Sequence, residues 1–448
     1  MTINSNTFTQ EIPSVYIETF GCQMNEYDSE RILYYLKEKG CKVVPSPEES
    51  NIVIINTCAV REKAKNRLFG HLGKLKNLKE LRNDLIICVG GCTAQSMGKE
   101  IQERCPFVDI VFGTHNISEL PFLIEQKLVG SSNICSVISE GFDYDLDRAS
   151  RVNKYSALVP VIIGCNNFCS YCIVPYVRGR ERSLDPGPII ENIKKLVSDG
   201  VLEVTLLGQN VNSYGKDLNT AMDFSRLLEK VSDIKGLERI RFMTSHPKDY
   251  SENLIGVIKD RANIVNHIHL PLQSGSNRIL KMMNRKYSRE DYMDIVENVK
   301  SSINGYSITT DIIVGFPGEE KRDFDDTMDI VERVRHDRAF TFIYSPREGT
   351  AAAEMADPVS LKEKKEWFGE LLEVQNNISF ERNKEYVGKM VKVLVEGFSP
   401  KDGSMLGGRM ENNMIVNFKG KKELIGRIVD IKIEKAMSFY LTGKTINK

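Results

Sequence analysis

Short runs of apolar, largely β-branched residues alternate with amphipathic helical stretches along most of this chain, and that alternation restricts the fold more than any other feature. In the N-terminal third the runs are VYIETFG (Val15–Gly21), NIVIINT (Asn51–Thr57) and LIICVGG (Leu85–Gly91), with helices predicted over Asp28–Lys39 and Arg61–Arg82. Apolar strands joined by helical crossovers build a parallel sheet with both faces covered. A polar, acidic stretch around Ser139–Ser150 reads as a linker. The alternation then resumes with ALVPVIIG (Ala157–Gly164), EVTLLGQN (Glu203–Asn210), RIRFMTSH (Arg239–His246), HIHLPLQS (His267–Ser274), ITTDIIVGF (Ile308–Phe316) and AFTFIYSP (Ala339–Pro346). Helices such as Pro188–Ser198 and Arg289–Ser301 separate these strands. Six strand–helix units fall short of the eight that close a full barrel, so an open partial barrel is expected.

A helical stretch, Leu361–Tyr386, ends that domain. Beyond it KMVKVLVEGF, NNMIVNFKG, ELIGRIVDIKI and SFYLTGKTI are separated by Gly, Asn and Asp, the pattern of a small antiparallel barrel. The expected class is therefore α/β with three domains: an open parallel α/β domain over 13–140, a partial (β/α)6 barrel over 151–382, and a small OB-like β-barrel over 384–447. A length of 448 residues suits about three cores.

The ten cysteines divide by spacing. Cys165, Cys169 and Cys172 form C-x3-C-x2-C within GCNNFCSYC, directly after the first barrel strand. Thiolates are natural ligands of iron–sulfur clusters, and a short loop can place three of them on one cube, leaving the fourth iron open. Structural zinc would want a fourth ligand close by. Cys22, Cys58 and Cys92 lie about 35 residues apart, each just beyond a predicted strand. The C-terminal edge of an open α/β sheet is where ligands bind, so these three make a second candidate metal tripod. Cys41, Cys88, Cys105 and Cys135 show no such arrangement and read as small buried hydrophobes.

Charge narrows the partners. The net formal charge is zero, yet Lys384–Lys448 carries thirteen Lys/Arg against seven Asp/Glu, and Arg61–Arg82 carries eight against two. Two basic surfaces permit a nucleic-acid partner. No apolar run approaches the roughly 20 residues that span a bilayer. The start, MTINSNTFTQEIPS, lacks the basic and apolar regions of a secretory signal. A cytoplasmic protein with no membrane attachment is expected.

Around the cysteines, C-x3-C-x-aromatic-C with Tyr171 as the aromatic resembles the radical S-adenosylmethionine (SAM) superfamily. YIETFGCQMN (Tyr16–Asn25), NTCAVREKA (Asn56–Ala64), GGCTAQ (Gly90–Gln95) and YCIVPYVRGRERS (Tyr171–Ser183) resemble the methylthiotransferases of that superfamily, over about Val15 to Thr445. Within them QMN after Cys22 and AVRE after Cys58 favour the branch acting on N6-dimethylallyladenosine beside the tRNA anticodon. Sister branches act on a ribosomal-protein aspartate or on threonylcarbamoyl-adenosine in tRNA. The C-terminal barrel resembles a TRAM domain.

The resemblance implies an auxiliary [4Fe–4S] cluster on Cys22, Cys58 and Cys92 and a radical SAM [4Fe–4S] cluster on Cys165, Cys169 and Cys172. It implies the use of two SAM molecules, one giving a methyl group to sulfur and one giving the radical that removes hydrogen from C2 of adenine. A reductant such as flavodoxin or ferredoxin would serve it, and the enzyme is expected to act as a monomer. Many radical SAM enzymes carry Gly-Gly-Glu after the second strand to grip the methionyl amine; here the run is Gly208-Gln209-Asn210. Tyr171, Gln209, Asn210, Gln273, Ser274 and Gly315 are the expected SAM contacts. Arg178, Arg180 and Arg182, on a strand- or loop-like stretch, are the expected RNA contacts. His246, His267 and His269 are taken as structural or pocket-lining.

Overall fold

The computed structural model describes residues 13–59, 62–139, 141 and 144–446. The chain forms two compact units, one made of residues 1–152, 163–166 and 172–182 and the other of residues 153–162, 167–171 and 183–448.

The first unit is built on six parallel strands in the order β2-β1-β3-β4-β5-β6. Their ranges are β1 (Ser14–Thr19), β2 (Lys42–Val43), β3 (Ile52–Thr57), β4 (Ile86–Gly91), β5 (Ile110–Phe112) and β6 (Ile134–Ser136). Helices α1 (Gln23–Glu38), α2 (Glu62–Leu81), α3 (Cys92–Met97), α4 (Glu100–Arg104) and α5 (Leu120–Leu128) connect them. Every residue of β3, β4 and β5 is buried, as a central parallel strand requires. The period of two sorts their side chains. Val53 and Ile55 pack with Ile87, Val89 and the α2 residues Leu68, Leu72 and Leu75. Ile52 and Ile54 pack on the other face with Ile32, Leu36, Leu120 and Ile124 from α1 and α5. Cys41 and Cys88 belong to one of these cores, and Cys105 and Cys135 belong to or pack against the other.

The charged helix starts at Glu62; Arg61 and the side chains of 62–66 lie outside the described residues. Farther along, its cations serve the fold: Lys79 pairs with Asp109, and Arg82 donates to the carbonyls of Glu48 and Ser50. α1 begins at Gln23, five residues before the predicted start, because Cys22 supplies the N-cap position in extended backbone. Of the expected linker, Glu140, Phe142 and Asp143 lie outside the described residues.

The segment after the C-x3-C-x2-C loop carries α6 (Val174–Arg178). This corrects the strand- or loop-like expectation for Arg178, which ends a helix. Strands β7 (Ser156–Pro160), β8 (Ile162–Ile163) and β9 (Arg182–Ser183) flank the loop. Ala157–Gly164 is thus broken at Val161 rather than continuous.

In the second unit β7 pairs in parallel with β10 (Glu203–Leu207), which pairs with β11 (Arg239–Phe242). A second parallel sheet joins β12 (His267–His269), β13 (Ser307–Val314) and β14 (Arg338–Ile343). An isolated parallel bridge, Ile240↔Ile264, joins β11 to the segment that leads into β12. The result is the expected partial six-stranded barrel, with shorter strands. β12 stops at His269 because Pro271 has no N–H to give the ladder, and only the bridge Gln273↔Ile312 continues it.

The C-terminal module is a closed barrel, β15-β16-β17-β19-β18, of strands Met390–Ser399, Asp402–Arg409, Ile415–Lys419, Ile428–Ala436 and Tyr440–Thr445. The sequence pattern shows four of these five. β16, DGSMLGGR, is hidden by three glycines that weaken a strand signal. Val393, Val395, Leu406, Val416, Phe418 and Leu441 fill the barrel. Two arginines of β11 fasten it to the larger barrel. Arg239 donates to the carbonyls of Arg409 and Lys392, both at 2.9 Å, and Arg241 to those of Glu411 and Met410. Glu203 lies 2.9 Å from Arg241 Nε and balances the buried charge.

Candidate metal centre

The topology of the first unit makes neighbours of the three thiol-bearing strands. β1, β3 and β4 are adjacent, and their C-terminal ends align through the pairs Thr19↔Asn56 and Thr57↔Gly91. Cys22 caps α1 just past β1, Cys58 follows β3 directly, and Cys92 opens α3 straight after β4. β2 lies outside β1, so no strand separates the three.

Local sequence explains how backbone comes so close. Gly91 takes φ +87°, and a Cβ there would lie 2.4 Å from the Thr57 carbonyl oxygen. A Cβ on Gly21 would lie 2.9 Å from Cys58 Cβ. Asn25 ties the strand ends together: its Nδ2 donates to the Thr57 carbonyl at 3.0 Å, and its Oδ1 accepts from Cys22 Sγ at 3.4 Å. Asn56 Nδ2 returns a bond to the Asn25 carbonyl at 2.8 Å.

Cys58 and Cys92 are buried and Cys22 is exposed. Burial pushes the Cys92 thiol up to about 12, against the nearby Arg178 guanidinium, and Cys58 and Cys22 add to the rise. The donor chemistry fits an iron–sulfur cluster: three cysteines follow the ends of adjacent strands, Cys22 is exposed, and Arg178 Nε lies 3.2 Å from Cys92 Sγ.

The C-x3-C-x2-C loop runs through both units, Cys165 and Cys172 belonging to the first and Cys169 to the second. In the first, Cys165 N donates to the Gly179 carbonyl at 3.2 Å, and Ile173 and Val177 pack with Cys92 and Ala59. In the second, Arg285 Nη1 lies 3.3 Å from Cys169 Sγ and its Nε 3.2 Å from the Tyr287 hydroxyl. Burial works against the Arg285 charge, yet Tyr287, Tyr171 and Cys169 hold it well above its ordinary value.

The expected SAM contacts are unevenly placed. Tyr171 is half-buried against the cluster of Ile279, Met283, Phe316 and Ala352. Gln209 is half-buried, and Asn210 is buried, with Nδ2 on Asp249 at 2.7 Å and Oδ1 without a partner. That orphan acceptor suits an amine. Gln273 is buried at φ +66°. Ser274 is fully buried, with Oγ 3.4 Å from Thr327 Oγ1 and accepting from the Ser276 N–H at 3.2 Å. Gly315 takes φ +73°, and a Cβ there would meet the Lys364 side chain, with Cδ at 2.4 Å.

The arginines differ as well. Arg180 and Arg182 are exposed, but Arg178 is 3% exposed and cannot meet RNA. Its Nη1 pairs with Asp28 Oδ2 at 2.6 Å, and its Nε donates to Cys92 Sγ at 3.2 Å. Asp28 and Arg285 carry no local sequence signal: the first sits in an amphipathic helix and the second in a loop. His267 and His269 share Thr309 Oγ1 at 3.0 Å each.

Three families match the chain: one described as "Uncharacterized protein family UPF0004" over residues 14–113, the Radical SAM superfamily over 159–331 and the TRAM domain over 384–446. Fold and site thus define a radical SAM iron–sulfur protein with a TRAM barrel, the class that takes a [4Fe–4S] cluster and SAM. A tRNA-2-methylthio-N(6)-dimethylallyladenosine synthase of Clostridium tetani (strain Massachusetts / E88) is 49% identical over 439 residues, 96% of either chain. One of Thermoanaerobacter pseudethanolicus (strain ATCC 33223 / 39E) is 47% identical over 96% of this chain and 92% of the relative. This chain belongs to the tRNA-2-methylthio-N(6)-dimethylallyladenosine synthase family. Two solved structures share the fold alone. The radical SAM methyltransferase TsrM from Kitasatospora setae, with cobalamin and a [4Fe-4S] cluster bound, has a TM-score of 0.54 at 13% identity, over 77% of this chain and 74% of that one. The cobalamin-dependent radical enzyme OxsB has a TM-score of 0.52 at 13%, over 82% and 56%.

Proposed function

We propose that this protein adds a methylthio group to C2 of N6-dimethylallyladenosine, beside the anticodon in tRNA. The reading carries two [4Fe–4S] clusters, one on Cys165, Cys169 and Cys172 and one on Cys22, Cys58 and Cys92. The observation that supports it most is the convergence of Cys22, Cys58 and Cys92 on adjacent strand ends, in the same compact unit as Cys165 and Cys172. When bound, such clusters supply the electron for SAM cleavage and a seat for sulfur.

The chain's own residues hold and orient. Asn25 and Asn56 fix the spacing of the auxiliary thiols. Arg285 backs Cys169, and the Asn210 Oδ1 acceptor is suited to the methionyl amine of SAM. Lys401, Lys419, Lys421, Lys422, Arg427 and Lys432 are exposed on the C-terminal barrel, with Arg180 and Arg182 exposed after the loop, and these cations would meet tRNA phosphates. No helix among the described residues is long and apolar enough to cross a membrane. The working form is a cytoplasmic monomer fed by a flavodoxin- or ferredoxin-type reductant.

Nucleoside analysis of tRNA tests the substrate. Cells lacking the gene should lose the 2-methylthio derivative of N6-dimethylallyladenosine and regain it on complementation. Unchanged 2-methylthio adenosines in the deletion strain would refute the reading.

A further inference from the structure

The second ligand set has a cation built against it whose geometry exceeds what an ion pair needs. Arg178 ends α6, six residues after Cys172, and its guanidinium is buried. The Nη1 corner meets Asp28, while the Nε edge faces Cys92 Sγ at 3.2 Å. Only a planar guanidinium can serve a carboxylate and a sulfur from two edges at once. The side chain is also held in place. Ile173 and Val177 pack with Cys92 and Ala59, and Thr114 Oγ1 donates to the Val177 carbonyl at 2.6 Å.

We infer that Arg178 is a positioning residue for the cluster on Cys22, Cys58 and Cys92, and that its Nε–H···Sγ bond to Cys92 raises that cluster's reduction potential. The inference rests on Cys92 being a cluster ligand. The physics follows from charge. Reduction adds a negative charge to the cluster and its thiolates, and a donor and cation beside one thiolate favour the more negative state. Asp28, on the far side of the guanidinium, moderates the effect. Removing Arg178 and neutralising Asp28 should therefore move the potential in opposite directions. A merely structural ion pair would give no such opposition.

The test uses the full chain with C165A, C169A and C172A, so that only the auxiliary cluster remains, reconstituted anaerobically and followed by redox titration with EPR detection. Against this background R178Q should lower the midpoint, cutting the reduced-to-oxidised ratio at a fixed potential about tenfold, or ~59 mV for one electron. R178K should shift it less, and D28N should raise it. With 15N-labelled arginine, the reduced cluster should show a hyperfine coupling that disappears in R178K, a readout that stands even where R178Q fails to fold. Midpoints unmoved by R178Q and R178K, or no 15N coupling with Arg178 intact, would overturn the inference alone. A background protein that binds no cluster would overturn the ligand assignment first.

Discussion

The two cysteine sets reach similar chemistry by opposite routes. Cys165, Cys169 and Cys172 sit on one loop, so their proximity is guaranteed by covalent geometry before any folding. Cys22, Cys58 and Cys92 are about 35 residues apart and meet only because β1, β3 and β4 are adjacent in the sheet. A local set tolerates strain in the surrounding fold; a topological set depends on it. Both sets still need a close backbone approach: a Cβ on Gly91 would lie 2.4 Å from the Thr57 carbonyl oxygen, and one on Gly164, just before Cys165, 2.2 Å from the Arg180 carbonyl oxygen.

The difference can be sharpened by substitution. The largest expected effect separates the two roles. Cys169→Ala should cut 5′-deoxyadenosine formation by about a thousandfold, ~4 kcal/mol in barrier. Cys22→Ala should leave 5′-deoxyadenosine formation in place and abolish the methylthio product. Equal loss of 5′-deoxyadenosine in both variants would break the division of labour. Next in size, Gly91→Ala should destabilise the first unit by about 3 kcal/mol, roughly 6–12 °C in Tm, since it must leave φ +87° and clear the Thr57 carbonyl. An unchanged Tm would show that the strand ends are not so tightly set. At the exposed Asn166 of the C-x3-C-x2-C loop, substitution by Ala loses only the bond its Oδ1 accepts from the Glu181 N–H and should cost about 1 kcal/mol.

A smaller effect concerns the attachment of the C-terminal barrel within the second unit. Arg239→Ala removes two bonds to C-terminal barrel carbonyls and leaves Glu203 less well balanced, costing about 2 kcal/mol. Limited proteolysis should then release the barrel faster near Lys384; an unchanged cleavage rate would deny the fastening role. The smallest effect is a pH slope. His336 is fully buried beside Tyr292, and burial lowers it from the usual range to about 3. It is neutral in the folded chain and binds a proton in the unfolded chain below about 6.5. Its contribution is therefore present above that pH and is lost as pH falls toward 3. His336→Asn should flatten the stability loss between pH 6.5 and 5.5 by about 1 kcal/mol, read from denaturant midpoints. A parallel pH dependence in the variant would exclude the assignment.

Legibility in sequence follows the same divide. The loop motif and the strand–helix alternation are local patterns, and both are readable. The strand-edge tripod is readable only by combining period with spacing. Asp28, Arg178 and Arg285 are not readable, because an arginine in YVRGRERS looks the same whether it faces solvent or a buried aspartate from another helix. β16 escapes notice for want of side chains, since three of its eight residues are glycine.

Iron content decides the central claim that two separate thiol sets each hold a cluster. Anaerobically reconstituted protein should carry about eight irons, Cys22→Ala about four, Cys165→Ala about four, and the double variant close to none. Full iron retained in Cys22→Ala would contradict the account.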